Sequence, residues 1–190
     1  MTDTRSRLVR TAEALFGAQG YAGSALKQLT DSAGAPWGSL YHFFPGGKAE
    51  LGAATLAFAG EKYGEAWRRA FARTPDPAEA VWRMFEGQAR VLAGGGWRAG
   101  CPVAATTLDM AGLDAALRAA CAEAFATWLA IIAEALEANG LPPSRAGALA
   151  HLVLATLEGA MILARASGDP APLLDAGAAV RDVLGRELGR

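Results

Sequence analysis

Between residues 24 and 48 the chain reads SALKQLTDSAGAPWGSLYHFFPGGK. Ser39, Tyr41 and His42 carry groups that donate hydrogen bonds to phosphate oxygens, and Lys27 and Lys48 add point charges at the two flanks. Trp37 brings an indole face with a single N–H, and Gly38 takes a side chain away from the same turn, which allows close approach to a phosphate or a partner helix. Lys48 follows Gly46 and Gly47 at the start of a long helical pattern, where free amides and the helix dipole favour a phosphate. Such groups suit recognition of a polyanion.

Short helices must position these side chains. Ser24 is placed to cap the first, because its hydroxyl accepts one of the amide protons that a helix start leaves unpaired. Leu26, Leu29 and Ala33 then recur at steps of three and four and share one buried stripe. Gly34, Ala35 and Pro36 form a turn, since glycine alone enters the left-handed region without steric cost. Leu40 and Phe44, four apart, face the same core from the next helix, leaving Trp37, Ser39, Tyr41 and His42 on or beside the opposite face. This is a helix-turn-helix, whose second helix fits the major groove, about 12 Å wide. The expected double-stranded DNA contacts are Ser24, Lys27, Trp37, Gly38, Ser39, Tyr41, His42 and Lys48. A corner that merely packs has no need of exposed Tyr, His and Lys beside two glycines.

The opening TRSRLVRTAEALFGAQGYAGSALKQLTDSAGAPWGSLYHFFPGGKAEL resembles the first three helices and the start of the fourth in the TetR family of transcriptional regulators. GCPVAATTLD at 100–109 and LEGAMILARASGDPAPL at 157–173 resemble the LmrA-like branch of that family. Two departures stand out, because the family usually has Ser or Thr capping the recognition helix and often a basic residue after it; here these positions hold Pro36 and Trp37. Proline supplies no side-chain cap, so the helix is expected to begin one residue early with Ala35 as its cap. Trp37 cannot make the bidentate guanine contact of an arginine; it presses on a thymine methyl, offers its N–H, or folds back onto the protein. Phe43 replaces the family's second His or Tyr, which leaves more of the phosphate binding to His42.

Periodicity and Gly or Pro breaks divide the chain into about nine helices without strand-like alternation, an all-α fold. A three-helix DNA-binding head at 1–47 precedes a larger helical ligand-binding and dimerisation body at 48–190. The first helix, about 5–19, buries Leu8, Ala12, Leu15 and Phe16 beneath the reading pair. Later helices are expected at about 48–73, 78–93, from Pro102, 113–139, 144–166 and 173–186. The middle ones hold Trp82, Met84, Phe85, Trp97, Met110, Phe125 and Trp128, which suit either an ordinary core or an apolar cavity. The resemblance implies the cavity, with a small lipophilic or aromatic effector against Trp82, Phe85, Trp97, Met110, Phe125 and Trp128. It also implies a homodimer built from the last two long helices. Leu149, Leu152, Val153, Thr156, Leu157, Ala160 and Leu163 supply a wide stripe for this, and Gly159 and Ala160 permit close approach. A ligand-responsive repressor on a palindromic operator follows; the alternative is a helical small-molecule-binding protein without specific DNA binding, which Trp37 and Phe43 favour.

Net charge is −1 overall, but residues 1–48 carry five Lys or Arg against three acids, giving +2, and the remainder thirteen against sixteen, giving −3. The excess positive charge lies with the motif. Two cysteines, Cys101 and Cys121, are too few for a disulfide scaffold. No run of eighteen apolar residues suggests a membrane span, and ALAHLVLATLEGAMILARA is interrupted by His151 and Glu158 and bracketed by Arg145 and Arg165. MTDTRSRLVR lacks the apolar core of a signal peptide, so a cytoplasmic protein is expected. Cys101 sits at a helix start, where a thiol pKa can fall, but lacks a partner for catalysis. His42 belongs to the reading helix and His151 to an apolar stripe, where a core or interface role is expected. No Cys or His pair has metal-ligand spacing, and neither a phosphate-cradling GxxxxGK run nor a dinucleotide fingerprint occurs. Neither catalytic residues nor a cofactor is therefore expected.

Overall fold

The computed structural model describes residues 3–189, and among them every regular element is an α-helix. They are α1 (Thr4–Gln19), α2 (Leu26–Ser32), α3 (Trp37–Phe43), α4 (Gly47–Arg73), α5 (Pro77–Gly94), α6 (Pro102–Met110), α7 (Ala115–Glu137), α8 (Pro143–Ser167) and α9 (Ala171–Glu187). Packing divides them into two compact units: Met1–Glu61 with Gly100–Phe125, and Lys62–Ala99 with Ala126–Arg190. The functional division expected at residue 47 therefore does not coincide with a packing boundary. The first unit keeps part of α4, all of α6 and the start of α7 with the reading helices.

In the first unit α1 begins because Asp3 caps it, its carboxylate accepting the Ser6 N–H at 2.7 Å. Leu8, Ala12 and Phe16 of α1 are fully buried, as are Leu29, Leu40, Phe44, Leu51 and Leu56 of the same unit. Leu15, expected among them, is only half-buried. Helix α6 lies along α1 at very close range: a Cβ on Gly17 would stand 2.3 Å from the Gly100 carbonyl oxygen, so only glycine fits. At the other end of α6 the Asp109 carboxylate accepts the Ala22 N–H at 2.9 Å. Cys101 caps α6, its sulfur accepting the Ala104 N–H at 3.4 Å. Cys121 is buried, its thiol donates to the Val103 carbonyl at 3.7 Å, and burial pushes its pKa up. Both thiols are thus engaged in packing and capping, and neither forms a disulfide.

In the second unit α9 packs against α5 and α8. A Cβ on Gly177 of α9 would lie 2.7 Å from the Phe85 Cβ and 3.0 Å from the Trp82 ring, so these two helices meet backbone to side chain. Arg145 at the start of α8 forms a bidentate pair with Glu187 at the end of α9, Nε to Oε2 at 2.9 Å. Helices α7 and α8 are, by length and composition, apolar enough to cross a bilayer, although neither is an unbroken apolar run: Arg118, Glu123 and Glu134 interrupt α7, and His151 and Glu158 interrupt α8. The face of α8 carrying Ala146, Leu149, Val153, Leu157, Ala160 and Ala164 is nevertheless buried in the protein. Arg145 and Arg165 place charge near its two ends.

Candidate nucleic-acid interface

Arg7 of α1 fixes the turn between α2 and α3 from below. Its guanidinium donates to the Ala33 carbonyl at 3.2 Å and to the Gly34 carbonyl at 3.4 Å. Gly34 itself has φ +58, the left-handed conformation expected of it. Pro36 then flanks α3 with ψ 142, too extended to be helical, so the helix starts at Trp37 and not, as expected, one residue earlier with Ala35 as cap. No side chain caps it.

Leu40 and Phe44 are buried, and their burial turns the rest of α3 outward. Trp37 is 51% exposed and Tyr41 46%, their rings edge-on with centroids 5.9 Å apart. The indole is accordingly turned to solvent, which removes the option of its folding back onto the protein. His42 is exposed with its ring edge-on to Phe43 at 4.8 Å, and Ser39 is half-buried, its N–H donating to the Pro36 carbonyl. Gly38 is open: an added Cβ would meet nothing within 4 Å. Lys27 on α2 is exposed but paired with Asp31 at 2.8 Å.

Three expectations about this site need correction. Ser24 does not cap α2, whose N-cap is Ala25 without a side-chain bond. It is fully buried, its hydroxyl donating to the Gly20 carbonyl at 2.7 Å, and so lies out of reach of DNA. Lys48 is not a free phosphate ligand: its ammonium donates to the Tyr21 carbonyl at 2.6 Å and lies 4.4 Å from the centroid of the Tyr21 ring. Burial lowers its pKa below the usual lysine value, and the Asp109 carboxylate works in the opposite direction. The amides at the start of α4 are not all open to a phosphate either, because Glu50 reaches back to accept the Gly46 N–H at 2.8 Å. Arg7, Glu50 and Asp109 were missed by sequence reasoning. A Glu three or four residues past a helix start signals such a back-reaching bond for Glu50, but Arg7 and Asp109 act across the fold and leave no local signal.

The aromatic set divides between the two units, with Met110 and Phe125 in the first and Trp82, Phe85, Trp97 and Trp128 in the second. Phe85 is fully buried against α9, and Trp82 packs on the same glycine with the Arg181 guanidinium 5.3 Å from its ring centroid. Those two rings hold helices together, which corrects their assignment to an effector. Trp128 is buried edge-on to Tyr63 at 5.8 Å, and the Trp97 indole rests against Gly168. Trp97 has φ +65, the one positive φ at a non-glycine residue among those described.

The stripe on α8 also divides. Leu149, Val153, Leu157 and Ala160 are buried in the chain's own core and cannot meet a partner, a correction to the expected interface. Leu152 and Leu163 are exposed, Thr156 is half-buried, and Ile162, Ala148, Ala155, Gly159 and Ala166 lie exposed at the same helical steps. His151 is exposed beside them, not in a core, with Nδ1 2.8 Å from the Gly147 carbonyl oxygen.

Comparison with known proteins bears on both units. Residues 8–55 match the family described as bacterial regulatory proteins, tetR family. Residues 77–179 match the one described as transcriptional regulator LmrA/YxaF-like, C-terminal domain. The chain is 33% identical over 172 residues to the uncharacterized HTH-type transcriptional regulator YxaF of Bacillus subtilis, covering 90% of each. It is 30% identical over 184 residues to the HTH-type transcriptional regulator LmrA of the same species, covering 97% of this chain and 98% of that one. In fold it is similar to a TetR transcriptional regulator from Legionella pneumophila, with a TM-score of 0.82, 21% identity, and coverage of 98% of this chain and 97% of that one.

Proposed function

The chain belongs to the TetR family of transcriptional regulators, with an LmrA/YxaF-like C-terminal domain, and from that premise we propose that it is a repressor gripping a palindromic operator as a homodimer. As a member of that family it is a DNA-binding regulator and not an enzyme. It works in the cytoplasm, where a bacterial operator lies. A small lipophilic or aromatic effector held by the body releases it.

The observation that carries the reading is the outward face of α3, where Trp37, Tyr41 and His42 stand exposed over a helix whose other side is locked by Leu40 and Phe44. Tyr41 and His42 supply phosphate and base-edge hydrogen bonds, with Ser39 and Lys27 at their flanks. The exposed face of α8 supports the homodimer, because Leu152, Ile162 and Leu163 are large apolar groups without cover in the single chain. Two heads would then meet successive major grooves about 34–36 Å apart, or at a spacing in phase with that. The other four expected effector contacts stand as separate candidates, Met110 and Phe125 in the first unit and Trp97 and Trp128 in the second. Effector and operator compete through one conformational equilibrium. Helix α4, which has residues in both packing units, conveys the change. A coupling of about 1–3 kcal/mol, five- to 150-fold in affinity, suffices for such a switch.

The test is selection of bound DNA from a random pool, repeated with Tyr41→Ala. A palindromic consensus that the substitution weakens is the expected result. Failure of the unaltered protein to enrich any sequence would refute specific DNA binding and leave the ligand-binding protein as the reading.

A further inference from the structure

The seven residues of α3, WGSLYHF, include no Arg, Lys, Asn or Gln. Bidentate hydrogen bonding to guanine takes an arginine or lysine, and to adenine an asparagine or glutamine, so α3 has no side chain with which to make either. The neighbouring helix does not make up the lack. Lys27 is held by Asp31, and the Gln28 amide exchanges hydrogen bonds with Gln19 at 2.7 and 3.4 Å.

Beside the exposed, polar His42, α3 presents an aromatic pair. Trp37 and Tyr41, one helical turn apart, lie edge to face with 69° between their planes, so each ring limits the other's rotation. Tyr41 also lies near Gly47, where an added Cβ would sit 3.6 Å from the ring. Beside the indole, Gly38 leaves the surface open. An apolar edge of this kind has one counterpart in the floor of the major groove, the C5 methyl of thymine.

We propose that Trp37 and Tyr41 form a single reading edge that seats on thymine methyl groups, so that each operator half-site is specified under this helix by thymines. The proposal rests on the DNA-binding reading above and names the chemistry of the sequence it selects.

The experiment starts from the operator selected with the unaltered protein. Each half-site thymine is replaced in turn by deoxyuridine, which removes the methyl and nothing else, and affinity is measured with the unaltered protein, Trp37→Ala and Trp37→Phe. For the unaltered protein one or two positions should lose about fourfold per methyl, the effect of exposing one methyl-sized group. In Trp37→Ala the overall affinity falls and the uracil penalty at the Trp37 position disappears; in Trp37→Phe a penalty persists. Because Trp37 is exposed, the alanine variant keeps its helical circular dichroism, which separates loss of reading from loss of fold. A consensus without thymine in the half-site, uracil substitution without effect, or an equal penalty in Trp37→Ala would each overturn the proposal while leaving specific DNA binding intact. Absence of any enriched sequence would overturn both.

Discussion

Helices α3 and α8 both turn apolar side chains to solvent, yet they do so with different chemistry. On α3 the exposed groups are Trp37 and Tyr41, flanked by His42, on a helix of seven residues. On α8 they are Leu152, Ile162 and Leu163 among Ala148, Ala155 and Gly159, on a helix of 25 residues. Aromatic rings with polar tips suit a surface that is part methyl and part phosphate. Aliphatic branches with a glycine between them suit another helix at close range. Exposure alone names no partner; the polarity of the tips and the length of the stripe separate nucleic acid from a second protein.

The strongest way to break this contrast is a charge on the α8 face. Leu163→Glu should weaken self-association at least roughly hundredfold, since an unpaired carboxylate in an apolar contact costs about 3 kcal/mol or more. Sedimentation velocity would check it. Operator binding should fall with it, and unchanged association would remove α8 from the interface. Next comes Tyr41→Ala, which should lower operator affinity roughly thirtyfold, about 1 kcal/mol for a hydrogen bond lost from each of two heads. Its sedimentation should be unaltered.

Both glycines offer a finer test. Gly38 and Gly159 are helical, and neither would bring a Cβ within 4 Å of another atom. Alanine at either should therefore stabilise the fold by about 0.5–1 kcal/mol, raising Tm by a few degrees in calorimetry. Gly159→Ala should cost association and Gly38→Ala should not. The smallest effect concerns acid. Arg145 holds the Glu187 carboxyl below its usual range through a hydrogen-bonded pair. That contribution is present above the ordinary glutamate pKa and fades as pH falls through the lowered value of the folded state. The pair is exposed, so the Tm difference between the unaltered protein and Glu187→Gln should be small at neutral pH and vanish in strong acid.

Much of this was legible in the sequence because it is periodic. Leu40 and Phe44 at a spacing of four declared the buried side of α3, and the Gly and Pro breaks marked the ends of long helices within a few residues. The errors share a cause. Ser24 has the right type for a cap, yet the chain turns it inward to Gly20, a tertiary outcome that local propensity does not encode. Lys48 has a basic residue's usual look, yet Tyr21, twenty-seven residues earlier, takes its ammonium. On α8 apolar residues on nearly every side hide which face meets the chain's own core, because Leu149 and Leu152 differ only in direction. Trp82 and Phe85 were read as cavity lining for want of knowing that Gly177 stands opposite.

The seam between α1 and α6 has a practical corollary. The peptide around Gly100 occupies the space over Gly17, and Asp109 ties down the loop at Ala22. A fragment cut after residue 47 would bare that seam to water and release that loop. Anyone transplanting this reader onto a foreign sensor should carry residues 100–125 with it, because the smallest portable piece is discontinuous in sequence.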